Sequence, residues 1–193
     1  MLSKRFNFMT IAGIHIGVDL SWIFIAILLS WTLAGGYFPY TYPGQSPSMY
    51  WLMGITGMLG LFACILLHEL GHAFMAKRFH LPITQITLFL FGGIAEIKKE
   101  PTSPKADFWV AIAGPIVSLF LAVLFLGIAF IFTPLYGVSS ILCVIAYLGS
   151  INLFILLFNL IPAFPLDGGR VFRSILWAYK KDLGWATRIS TRI

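Results

Sequence analysis

The stretch "LMGITGMLGLFACILLHELGH", residues 52–72, runs without a charge from Leu52 to Leu67 and then sets down His68, Glu69 and His72 together. A bilayer-crossing helix needs roughly 20 apolar residues, and this run, continued through the histidine motif to Met75, is long enough. The rest of the chain has the same character. Its 193 residues are 59% apolar and 10% charged, with a mean hydropathy of +0.91. A soluble domain would carry about 25% charged residues. Further uncharged runs span Leu20–Phe38, Phe108–Phe132 and Val138–Ile161. The expected fold class is an all-α polytopic membrane protein. It has about four transmembrane helices, at 20–38, 52–75, 108–132 and 138–161, in one membrane-embedded unit over 1–193.

The net charge of +6 does not point to nucleic acid, because the basic residues flank apolar runs instead of forming a patch. Lys4 and Arg5 precede the first span. Lys77, Arg78, Lys98, Lys99 and Lys105 lie between the second and third, and Arg170, Arg173, Lys180, Lys181, Arg188 and Arg192 follow the last. With four spans all thirteen fall on one side, which the positive-inside rule makes the cytoplasm. The expectation is a multi-pass protein of the cell membrane with both termini cytoplasmic. "LAGG" (33–36) resembles a signal cleavage site, but the apolar run before it is long for a signal segment and is read as a retained helix. Cys64 and Cys143 sit inside apolar runs and read as small core residues.

Residues 1–19 suggest a short strand at the membrane surface, with Asp19 or Ser21 capping the first helix. Gly54, Gly57 and Gly60 permit close helix approach. Asp107 is a candidate cap for the third span, and Pro115 in "AGPIVS" (113–118) reads as a tolerated kink. In "ITQITLFLFGGIAEI" (83–97), two β-prone runs joined at Gly92-Gly93 predict a hairpin. Too short to cross as a helix, it fits a re-entrant element, the alternative being a hairpin lying on the surface.

His68 and His72 are four apart, so on a helix they share a face and can reach one ion. Glu69 points beside them, as in the H-E-x-x-H motif of zinc hydrolases, whose glutamate accepts a proton from water. Catalytic zinc takes three protein ligands. Asp19, Glu96, Glu100, Asp107 and Asp182 lie where caps or solvated loops are expected. Asp167 follows a span interrupted by Pro162 and Pro165, next to Gly168-Gly169, and its span crosses in the same direction as that of the histidines. It is the candidate third ligand, for one zinc ion per chain. Counted from Leu52 at 1.5 Å per residue, His68 lies about 24 Å into a core of about 30 Å, inside the membrane boundary.

"HELGH" on a span, "FGG" (91–93), "AGPIVS" and "NLIPAFPLDGGR" (159–170), in this order and after "GIHIGVDLSW" (13–22), resemble the site-2 proteases, intramembrane zinc metalloproteases. The resemblance covers essentially the whole chain. It implies zinc ligation by His68, His72 and Asp167, Glu69 as general base, and Asn159 near the reacting carbonyl as an oxyanion donor. The alternative for Asn159 is an amide bonding backbone near Pro162. The interval from His72 to Asp167 has no room for a PDZ domain, which places the resemblance with the compact branch. Some members of that branch carry C-terminal CBS domains, and the family usually carries further helices after "LDGGR", so the resemblance implies a chain truncated at Ile193. The implied function is hydrolysis within the transmembrane segment of a single-span membrane-protein substrate, in a lipid bilayer and without nucleic acid. Residues 171–193 suggest a short amphipathic helix. Oligomeric state is not indicated. The alternative is a non-catalytic zinc-binding scaffold or transporter, and a transporter needs polar groups along the outer halves of the spans, where there are almost none.

Overall fold

The computed structural model describes residues 5–89, 92–97 and 101–191. Two strands, β1 (Arg5–Ile11) and β2 (Ile14–Asp19), open the chain. Where the sequence suggests one strand there is a hairpin, turned at Ala12 and Gly13, both at positive φ (48° and 75°). Positive φ at both central residues is the two-residue turn that matches strand twist. Helix α1 (Ser21–Thr41) follows, α2 spans Pro47–Arg78, α3 Pro104–Tyr136 and α4 Ser140–Asn159. These four helices are long and apolar enough to cross a membrane. Between α2 and α3 run β3 (Ile83–Phe89) and β4 (Gly92–Ile97), and after α4 come α5 (Asp167–Lys180) and α6 (Leu183–Ser190).

The helix starts are chemically marked. Ser46 accepts from the Met49 amide and Ser103 from the Ala106 amide, each followed by proline in the first turn. A serine cap with proline after it satisfies one amide and removes another. Helix α3 therefore begins at Pro104, and the expectation that Asp107 caps it is wrong: Asp107 is fully buried one turn inside. Ser139 and Asp182 cap α4 and α6. The Asp19 carboxylate accepts from the Ser21 amide at the start of α1.

The sheet has order β1-β2-β3-β4, with β2 parallel to β3 and the other pairs antiparallel. Gly92 and Gly93 do not form the join expected of them. They pair with Phe89 and Leu88 inside the ladder, and residues 90–91 lie outside the described residues. Ile14, Ile83 and Ile86 pack with Leu70, Ala73 and Ala76 of α2 and Val110 of α3. A second apolar cluster, including Leu33, Phe38, Phe62 and Tyr147, joins α1, α2 and α4. Helices approach closely at glycine: a Cβ on Gly54 would lie 2.7 Å from the Ser30 carbonyl oxygen, and one on Gly60 2.8 Å from Leu148. The outer faces carry exposed Phe24, Trp31, Phe120, Val123, Phe130 and Leu157, an apolar surface suited to lipid and not to water.

Candidate metal centre

His68 and His72 project from the same face of α2 toward α3, and both are buried. Gly71 between them lets the helices close up, since a Cβ there would lie 2.9 Å from Val117 and 3.0 Å from the Ala113 carbonyl oxygen. The chain leaves α4 at Asn159, turns through residues 160–166 and re-enters helix at Asp167, the first residue of α5. Glycines at 168 and 169 serve close approach here. A Cβ on Gly168 would lie 2.3 Å from the Leu160 carbonyl oxygen, and one on Gly169 2.7 Å from Ala163. The first turn of α5 is thereby folded back onto the end of α4.

That return brings Asp167 Oδ2 within 3.2 Å of both His68 Nε2 and His72 Nε2, which are themselves 3.1 Å apart. It is the only group of three potential metal ligands among the described residues. His72 Nδ1 lies 2.7 Å from the Val110 carbonyl oxygen. A carbonyl only accepts, so the proton is on Nδ1 and Nε2 presents a lone pair. His68 Nδ1 meets Ser118 Oγ at 2.9 Å, a hydroxyl that can accept from it in the same way. With both protons on Nδ1, two imidazole lone pairs and a carboxylate face one another, an arrangement suited to a cation at its centre.

The residues fit zinc. Tetrahedral bonds of 2.0–2.1 Å set neighbouring donors about 3.3 Å apart, close to the observed triangle. Gly114 on α3 keeps the ground beside it clear, since a Cβ there would lie 2.2 Å from His72 Nε2 and 2.6 Å from His68 Nε2. Imidazoles anchored through their second nitrogen are the usual support of a metal site.

Glu69 is half-buried, within electrostatic reach of His72, Asp167 and Arg170. Asn159 is not drawn into the triangle: its amide donates to the Ile155 carbonyl of its own helix at 3.0 Å. The residues missed in the sequence are Val110, Gly114 and Ser118, which touch or border the imidazoles. Gly114 and Ser118 lie in the quoted "AGPIVS", and the four-residue spacing from Val110 to Gly114 to Ser118 was the available signal.

The profile of peptidase family M50 matches residues 56–141 and 134–188. The chain is 41% identical over 181 residues to a Synechocystis protein provisionally named a zinc metalloprotease, covering 94% of this chain and 46% of that one. It is 37% identical over 135 residues to zinc metalloprotease MJ0392 of Methanocaldococcus jannaschii, covering 69% of this chain and 38% of the relative. The solved site-2 protease from Methanocaldococcus jannaschii aligns with a TM-score of 0.62 at 27% identity, over 97% of this chain and 78% of that one. The chain spans under half the length of these two curated relatives.

Proposed function

Because the chain belongs to peptidase family M50, the site-2 proteases, we propose that it is a zinc-dependent intramembrane endopeptidase acting on transmembrane segments of other membrane proteins. It is a multi-pass membrane protein of four apolar helices. The observation that carries the reading is the triangle of His68, His72 and Asp167, with the His72 tautomer fixed by Val110.

These three residues would hold one zinc ion, which supplies Lewis-acid polarisation of the scissile carbonyl and lowers the pKa of water. Glu69 accepts the proton of the attacking water and passes it to the leaving amine. Asn159 is the candidate donor to the developing oxyanion. Its amide has two N–H groups, of which one serves Ile155, and the other is the one assigned to substrate. A substrate helix hides its carbonyls in its own hydrogen bonds and must unwind before attack. Strand β4 ends the described sheet, and an extended substrate segment would pair along it by strand addition. The distribution of basic residues supports a reading in which both termini, and the entry of water, are cytoplasmic.

The test is cleavage of a single-span substrate by the purified protein in lipid vesicles, with and without a zinc chelator. Glu69→Gln is expected to retain zinc and to lose at least about 100-fold in rate, the scale of general-base catalysis. Cleavage that survives in Glu69→Gln, with contaminating protease excluded, would overturn the assignment. Zinc bound with no cleavage by the parent chain on any single-span substrate would favour a scaffold.

A further inference from the structure

One stripe of α3 supports the whole centre. The Val110 carbonyl accepts a hydrogen bond from His72 Nδ1, Gly114 clears the space beside both Nε2 atoms, and Ser118 meets His68 Nδ1. Asp107, one turn earlier, continues the stripe, because residues spaced by three and four share a helix face. Its carboxylate is 0% exposed and accepts from Arg173 Nε at 2.9 Å and from a terminal Arg173 nitrogen at 2.7 Å, with Arg170 at 3.5 Å. Arg170 and Arg173 follow Asp167 at intervals of three on α5, so all three lie along one side of that helix. The Arg173 guanidinium also lies over the Phe164 ring, 5.5 Å from its centroid, in the turn that leads into Asp167.

We propose that Asp107 and Arg173 form a latch that fixes the rotation and register of α5, so that Asp167 completes the triangle. They are positioning residues, and the proposal rests on reading His68, His72 and Asp167 as the zinc ligands. Helix α5 is not among the helices long and apolar enough to cross a membrane, so contacts with the other helices must set its position. Apolar contacts tolerate a slide or a roll, whereas a two-pronged bond to a buried carboxylate does not. A shift of one turn, about 5.4 Å, would strand Asp107 as an unpaired charge in an apolar setting. Each ligand thus has its own tether to α3: a carbonyl for His72, a hydroxyl for His68 and an ion pair for Asp167.

The latch can be tested with and without metal. Spin labels at Trp109→Cys on α3 and Tyr179→Cys on α5, with Cys64 and Cys143 replaced by alanine, report the α3–α5 distance in metal-free protein. A narrow distribution is expected with Arg173 intact, a broad one in Arg173→Gln, and an intermediate one in Arg173→Lys, which keeps the charge but loses the fork. Zinc affinity by chelator competition should fall about tenfold or more in Arg173→Gln and recover in part in Arg173→Lys. If the glutamine variant does not fold, the lysine variant carries the comparison. Distance distributions that do not change would overturn the latch, and so would broadening with zinc affinity unaltered. A parent chain that binds no zinc refutes the ligand reading instead, while the distance measurement still decides whether the latch exists.

Discussion

Substituting Gly114 by alanine would set a methyl carbon 2.2 Å from His72 Nε2, in the space where the three donor atoms point. Since α2 and α3 already touch through Gly71 and Ala113, the backbone has no slack to yield. Gly114→Ala is therefore expected to weaken zinc binding by about 100-fold or more. Ser118→Ala, which removes only a partner of His68 Nδ1, is expected to weaken it about tenfold. Competition against a graded series of chelators reads both, and equal affinities for the two variants would sink the distinction. His72 is the more tightly determined imidazole, because its partner is a backbone carbonyl that no substitution at position 110 removes.

Helix α1 meets α2 where Gly54 lies against the Ser30 carbonyl, and Gly127 on α3 has nothing within 4 Å of where its Cβ would be. Gly54→Ala is expected to destabilise by about 1–3 kcal/mol through overpacking. Gly127→Ala should be neutral or stabilising, because alanine is the better helix former. Thermal unfolding in detergent compares them, and similar melting temperatures would show that the α1–α2 contact can relax. The elements themselves were largely legible in the sequence, since an uncharged run of twenty residues has few other homes. Their ends were less so. Reading spans from absent charge excluded Lys105 and Asp107 from α3, although Ser103-Pro104 marked the true start. The turn that splits this segment into β1 and β2 was missed because it places alanine, not asparagine or glycine, first in the positive-φ pair. The His68, His72 and Asp167 group stood out because polar groups beside apolar runs demand a reason. Asp107 did not, since its partner Arg173 is 66 positions away and no spacing links them.

Along the sequence the basic residues flank the apolar runs on what four crossings make a single side, and exposed apolar side chains lie along the helices. The orientation this implies can be checked in intact cells with a membrane-impermeant thiol reagent, in a background without Cys64 and Cys143. A cysteine at Thr41, the last residue of α1, is expected to label from outside, and one at Tyr179, on α5, only after the membrane is permeabilised. Labelling of Tyr179→Cys in sealed cells would invert the topology and, with it, the proposed route of water.

His68 and Asp167 stand 99 positions apart in the chain, and synthesis delivers them to the bilayer in that order. A ribosome that has released the first two donors has yet to make the third, so a nascent or prematurely terminated product carries an incomplete triangle. If these three residues are the ligands, the newborn chain has no complete donor set until its last donor swings into place.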